Sequence, residues 1–273
     1  MQGKGHKFEA PLILLNAEKI KAKLRYRSVH LDVLESVSST NDYLKQFVSK
    51  NEKIMVCIAE TQTKGRGRLH RSWHSPFGEN IYLSMLFPFK KDIGELSGLS
   101  LVVGLAVCRA IESAVGIKGD CLKVKWPNDI LADRKKLAGI LIEIQAEFNG
   151  FRQVIIGIGM NVNMEKSSKK NISQLWSSLL KITNKSQNRN NLCAVLINSL
   201  IDYLEQFAFG GLSAFRDEWK KRDCLANTTI SLRSNKEELQ GVCLGINNQG
   251  HLLLQTANKG ILTLFSGDTT LLR

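Results

Sequence analysis

Residues 54–87 read IMVCIAE-TQTKGRGRLHR-SWHSPFGE-NIYLSMLF. The outer blocks, 54–60 and 80–87, are apolar runs of strand length. The second alternates as a strand with one buried face does. Between them lies a loop carrying Gly65-Arg66-Gly67-Arg68, then Arg71 and Trp73. Glycines let backbone N–H groups approach a ligand closely. Arginines supply planar, permanently charged forks for carboxylate or phosphate oxygens. Taken alone, a GRGR run favours a solvated basic turn. Its place between two strands, with an aromatic following, argues instead for a loop that folds over an anion. It is not a Walker loop, because GxxxxGK[ST] is absent.

Working upstream, 30–35 reads as a strand. Ser38-Ser39-Thr40-Asn41 then caps a helix carrying Tyr43, Leu44 and Phe47, since hydroxyl and amide side chains satisfy the free N–H groups of a first turn. By composition alone Ser39-Thr40-Asn41 is simply that cap. Residues 19–27 suit a short helix. Downstream, 96–116 is a long apolar helix. Short strands at 122–126 and 130–131 flank the turn Pro127-Asn128-Asp129, and 136–143 and 153–159 are two more. Residues 166–170 form a polar loop, and 192–207 and 214–222 are helices. From Thr228 only short strands follow, with a hairpin turn at 247–250. The expected fold class is α+β: an extension over 1–29, a mixed-sheet domain over 30–223, and a small β-barrel over 224–273.

The chain has 273 residues, 43% hydrophobic and 23% charged, which fits a packed globular protein and excludes wholesale disorder. No uncharged apolar run reaches the roughly 18 residues of a membrane helix; 99–117 carries Arg109 and Glu112. The short run at 11–15 is too small for a signal-peptide core. The chain therefore reads as soluble and cytoplasmic. Its six cysteines (57, 108, 121, 193, 224, 243) are scattered without a CxxC pair, and its five histidines lack HExxH spacing. Buried free thiols in a reducing compartment are expected, and no structural metal. The net charge of +13 is spread along the chain. It points to a phosphate-bearing substrate or an acidic protein ahead of nucleic acid.

A second constellation is Lys123-Val124-Lys125-Trp126-Pro127-Asn128-Asp129, followed by Arg134-Lys135-Lys136-Leu137-Ala138-Gly139. Such charge density between apolar strands is costly to bury unless it is paired or meets a ligand. For Lys135-Lys136 alone a hairpin turn serves equally well. Small residues inside a strand, as at 138–139, suit close approach of a ligand or backbone. Gln62, Asn161, Asn163 and Trp176 are weaker candidates. GxSxG and a GxGxxG after the first strand are both absent, which disfavours a serine hydrolase and a dinucleotide enzyme. The two constellations together describe a site for a small acid and a nucleotide. There a carboxylate would be activated at an α-phosphate, a step that needs positive charge where two anions repel.

These residues resemble the biotin protein ligase family. TQTKGRGRLHRSWHSPFGENIYLSM resembles its signature loop, GRGRxGRxW. KWPNDI and KKLAGILIE resemble its second signature, SVSSTNDYL its biotin-entry segment, and GIGMNVN its strand near the nucleotide. The similarity runs from about residue 30 to the end, with the motifs in order. It implies a catalytic domain of the biotin/lipoate ligase type followed by a small SH3-like barrel. It also implies a two-step reaction. Biotin and ATP, with Mg2+, form biotinyl-5′-AMP, and the biotinyl group then passes to one lysine of a biotin carboxyl carrier protein, as in acetyl-CoA carboxylase.

Carried over motif by motif, Ser39, Thr40, Asn41 and Gln62 would bind the biotin ring system. Arg66, Gly67 and Arg68 would fold over the adenylate. Lys136 would contact the biotin carboxylate and later the acyl oxygen. Arg71, Lys125, Asn128 and Asn161 would face the ATP phosphates. Asp129 would position the incoming amine or a cation. Trp176, 15 residues after Asn161, would stack on adenine. At position 70 the family usually has glycine, so His70 is expected to be strained there if that glycine takes positive φ. About 38 residues precede Ser39, too few for a winged helix-turn-helix, so operator binding is not expected. Sheet-to-sheet homodimers occur in the family. A lipoate or octanoate ligase is the nearest alternative, and a non-catalytic nucleic-acid binder a more distant one.

Overall fold

In a computed structural model, residues 12–48, 53–117, 121–166, 174–234 and 237–271 are described. Most of the expected 166–170 loop lies outside them. Seven strands form the main sheet: β1 (His30–Val37), β2 (Met55–Gln62), β3 (Ile81–Phe89), β4 (Leu122–Lys125), β5 (Asp129–Ala132), β6 (Lys135–Phe148) and β7 (Phe151–Met160). Their order is β1-β2-β3-β7-β6-β5-β4. Only the β1–β2 pair is parallel, so the sheet is mixed, as expected.

Strand parity decides what each face meets. Val56, Ile58, Leu83, Met85, Val154, Ile156 and Ile158 point to one face and join the main core. That core is completed by the long helices α3 (Leu99–Val115) and α5 (Arg189–Gly210). Each fully buried aliphatic contributes about 1.5–3 kcal/mol. The stretch Ile93–Val115 and helix α5 have the length and hydropathy of membrane spans, yet over half of each is buried within the fold. The opposite face receives Met55, Cys57, Leu86 and Ile155, which pack with Leu44 of α2 (Thr40–Lys45) in a second, smaller core. Ser39 caps α2, accepting from Asp42 N. Three short helices complete this part: α1 (Ala17–Lys21), α4 (Leu179–Thr183) and α6 (Arg216–Arg222). α4 was not foreseen in the sequence.

The segment before α1 is tied to the core by a buried ion pair. Arg189 Nη1 lies 2.6 Å from Glu60 Oε2, with side chains 2% and 4% exposed. Leu15 N donates to Glu60 Oε1 at 2.5 Å, and Arg189 Nη2 to Ile13 O at 2.8 Å.

The last five strands are β8 (Thr229–Ser234), β9 (Glu237–Ile246), β10 (Leu252–Thr256), β11 (Gly260–Leu264) and β12 (Asp268–Leu271). They run antiparallel in the order β11-β10-β9-β8-β12. This is an open sheet and not the closed barrel expected from the sequence. β11 is largely exposed and so has little apolar area to drive closure. β12 turns instead toward the main domain, where Thr269 Oγ1 donates to Trp126 O at 3.0 Å. Trp126 Nε1 donates to Gly250 O. Ile230, Leu232, Leu252 and Leu254 belong to the same core as α3 and α5.

Candidate active site

The site lies on the face of the main sheet that carries α2. Where strand parity places a side chain facing outward, β7 has Gly157 and Gly159, β6 has Gly139 and β3 has Ser84. Gly139 and Gly159 are paired across the ladder. Together they make a floor without bulk. A Cβ added at Gly157 would lie 2.3 Å from Asn41 Oδ1, and one at Gly159 would lie 2.4 Å from Trp73 Cε2. The Trp73 indole therefore rests on the floor, and its Nε1–H is buried without a hydrogen-bond partner among the described residues.

The front wall is the start of α2 with the end of β2. Thr40 N and Oγ1 both donate to Gln62 Oε1, at 2.9 and 3.1 Å. Ser84 Oγ lies 2.7 Å from Thr40 Oγ1 and 2.5 Å from Asn41 Oδ1. Asn41 Nδ2 donates to Glu143 Oε2 at 2.7 Å, which orients the amide. Ser39, Thr40 and Asn41 are each 4% exposed. The helix cap and the wall of the groove are thus the same residues.

The glycine–arginine loop folds back on itself. Trp73 N donates to Gly65 O, and Gly67 N to Arg71 O at 2.7 Å. Its left-handed residue is Leu69, with φ 52 and ψ 38. The strain expected at residue 70 falls on its neighbour, and the His70 side chain lies outside the described residues. Arg66 pairs with Asp42 through both guanidinium nitrogens. This holds the Asp42 carboxyl well below the usual range. Arg68 is half-buried, and Nη1 donates to Asn128 Oδ1 at 3.4 Å. Burial lowers its pKa, opposed by Asp268 and Asp129.

At the far end, Lys136 Nζ lies 2.7 Å from Asp129 Oδ1 and 5.4 Å from the Trp73 ring centroid. Asn128 exchanges two hydrogen bonds with Ile140, through its backbone O and its Nδ2. This fixes the turn from which Asp129 projects. Lys125 ends β4, and burial pulls its ammonium below the ordinary lysine value. A cation with incomplete compensation in a groove is a place for an anion. The backbone of Lys136 pairs with 175–177, where Lys136 N donates to Leu175 O and Ser177 N to Lys136 O, both at 2.9 Å. Trp176 is thereby set beside the lysine. Lys181 Nζ lies 3.7 Å above its ring.

Residues 33–161 match the family model described as the biotin/lipoate A/B protein ligase family. The chain is 36% identical over 271 residues to the bifunctional ligase/repressor BirA of Escherichia coli, spanning 99% of this chain and 82% of that protein. The chain belongs to the biotin protein ligase family. It is also 28% identical over 247 residues to the biotin--[acetyl-CoA-carboxylase] ligase of Mycobacterium tuberculosis, 89% of each chain. Among solved structures it resembles a biotin protein ligase from Aquifex aeolicus in complex with biotin and ATP, with TM-score 0.73 and 28% identity over 89% of this chain and 99% of that one.

Two of the residues assigned to nucleotide through the biotin ligase motifs are engaged elsewhere. Arg71, 66% exposed, pairs with Asp268 at the start of β12. Asn161 is buried, and its Nδ2 donates to Ser177 O at 3.0 Å, tying the Trp176 segment to the end of β7. Asp42, Ser84 and Glu143 escaped the sequence reading. Asp42 and Glu143 carry no spacing signal. The glycines had one, a Gly-x-Gly pair on one face of a strand.

Proposed function

We propose that this chain is an ATP-dependent biotin protein ligase. It joins biotin and ATP into biotinyl-5′-AMP and pyrophosphate, then transfers the biotinyl group to a lysine of a biotin carboxyl carrier domain. The observation that carries this reading is the Lys136 ammonium, held beside Asp129 at the end of a glycine-floored groove.

The ring system would lie against Trp73, which covers Gly159, and against Ser39, Thr40, Asn41 and Gln62. Its carboxylate would reach Lys136, and Arg66, Gly67 and Arg68 would close over carboxylate and α-phosphate. In the first step a carboxylate oxygen attacks the α-phosphorus and pyrophosphate leaves. In the second the carrier amine attacks the acyl carbon and AMP leaves. Lys136 and the loop arginines offset the repulsion between the two anions. Donors aimed at such charge are each worth about 2–4 kcal/mol in the transition state. The folded loop also keeps water off the mixed anhydride.

Lys125 and Asn128 would face the phosphates, with Arg71 after release from Asp268, and Trp176 would cover the base. Magnesium would accompany the triphosphate, whose own oxygens would supply most of its ligands. Asp129 is the carboxylate nearest this end. The ion would neutralise phosphate charge.

The reading places the catalytic unit at 30–223 and takes the terminal sheet as the family's small SH3-like domain. It is a cytoplasmic enzyme. From Leu141 onward the outer edge of β6 has no strand partner among the described residues, which suits pairing with a carrier or a second copy. The decisive experiment is mass analysis of a carrier domain incubated with the protein, biotin and MgATP. A biotinyl mass gain is expected. Lipoate transfer in its place would overturn the reading.

A further inference from the structure

Four charged side chains form a closed network at the front of the groove. Arg66 grips Asp42 with both Nη atoms, and its Nη2 lies 3.9 Å from Glu143 Oε1. Lys45 Nζ lies 2.9 Å from Asp42 Oδ1 and 2.8 Å from Glu143 Oε1. Glu143 also holds Asn41 through the bond described above. Two carboxylates thus balance two cations, all four between 24% and 37% exposed. Asp42 faces the loop from the first turn of α2, Glu143 from β6, and Lys45 from the last turn of α2.

We propose that Asp42 is a positioning residue that acts as an internal counter-ion, occupying Arg66 until the substrate's carboxylate or phosphate takes its place. This rests on the reading of Arg66 as a substrate-gripping residue. The arrangement suits an exchange. Arg66 is bidentate on Asp42, which is how a guanidinium binds a carboxylate or phosphate ligand. When Arg66 moves to the substrate, Lys45 remains to neutralise Asp42 and Glu143, so no carboxylate is stranded. The pair is part-exposed, and ion pairs of that kind are weak enough to be displaced. The loop is therefore folded and occupied before substrate arrives, at a cost in affinity for biotin. Asp42 sets that affinity from outside the ligand's own contacts.

The test is biotin KM in the adenylation step, measured by pyrophosphate release with the full chain. Asp42→Asn removes the competitor and is expected to lower biotin KM about threefold to fivefold, with the change in KM and not in kcat. Asp42→Glu should restore the native value. Lys45→Met, which leaves Asp42 to Arg66 alone, should raise biotin KM. With biotin absent, trypsin should cut the 66–71 loop of the Asp42→Asn protein faster than that of the native protein; with biotin and ATP present the two rates should converge. An Asp42→Asn protein with unchanged or higher biotin KM overturns the proposal, as does a Lys45→Met protein with lower KM. Arg66→Ala separates the two claims. If it binds biotin as the native protein does, the role given to Arg66 fails and this inference with it. If it is impaired while Asp42→Asn has no effect, only the counter-ion role fails. In the Arg66→Ala background the Asp42→Asn effect should vanish.

Discussion

Lys136 Nζ stands 2.7 Å from Asp129 Oδ1, with side chains 21% and 14% exposed. The pair spans neighbouring strands where the ladder shifts register, between Ile130 and Leu131 of β5. That shift brings the lysine to the same end of the groove as the carboxylate, which holds its ammonium in place until a ligand oxygen arrives. Lys136→Ala is expected to lower the rate of biotinyl-adenylate formation by roughly 30- to 1,000-fold, from the loss of about 2–4 kcal/mol of transition-state stabilisation. Single-turnover formation of the adenylate measures this. A variant within twofold of native would remove Lys136 from the reaction.

The glycine floor makes a steric prediction. In Gly157→Ala and Gly159→Ala the new methyl meets Asn41 Oδ1 or the Trp73 ring at 2.3–2.4 Å. Relief costs about 1–3 kcal/mol. Because the atoms that must give way line the groove, biotin KM should rise about tenfold or more. Gly94→Ala, with nothing within 4 Å of the added Cβ, is the neutral control. Initial rates across a biotin titration distinguish the three.

Lys125 supplies a pH signature. Burial lowers its pKa first of all, with Asp129 and Asp268 pulling the other way. Its charged form is therefore lost at lower pH than that of an ordinary lysine. ATP KM should rise as pH climbs through the alkaline range, before surface lysines titrate. Lys125→Arg, which stays charged, should flatten that rise. The profile of kcat/KM for ATP reports it.

The Arg189–Glu60 pair should dominate stability near the start of the fold. Removing one partner of a buried ion pair strands the other charge, at about 3–5 kcal/mol. Arg189→Met is expected to cost that much in urea unfolding of the full chain, and to free the 13–15 backbone bound to it. A loss below about 1 kcal/mol would show that water reaches Glu60.

Thiol labelling tests burial directly. Burial pushes the Cys57, Cys108, Cys193 and Cys224 thiols up to about 12 and Cys243 to about 11. Their thiolate fractions at pH 8 are negligible. Cys121 is exposed. Iodoacetamide at pH 8 should modify Cys121 first in the native protein and the other five only on unfolding. Peptide mapping reads the order.

Much of this was legible in the primary structure because it rests on local physics. Alternation at 80–87 yielded β3, the hydroxyl cap at 39 yielded the start of α2, and the apolar run at 96–116 yielded α3. The motif residues on either side of the groove, Arg66 and Lys136 among them, could be named without coordinates. What they touch could not. Asp42 meets Arg66 from another element, Asp268 meets Arg71 from 197 positions away, and Asn161 spends its amide on a backbone carbonyl. The openness of the last sheet was equally hidden, since closure depends on how much of β11 finds apolar cover. Periodicity is set by neighbours along the chain and can be read from them. Charge pairing and sheet closure are set by neighbours in space, and only the packed structure decides those.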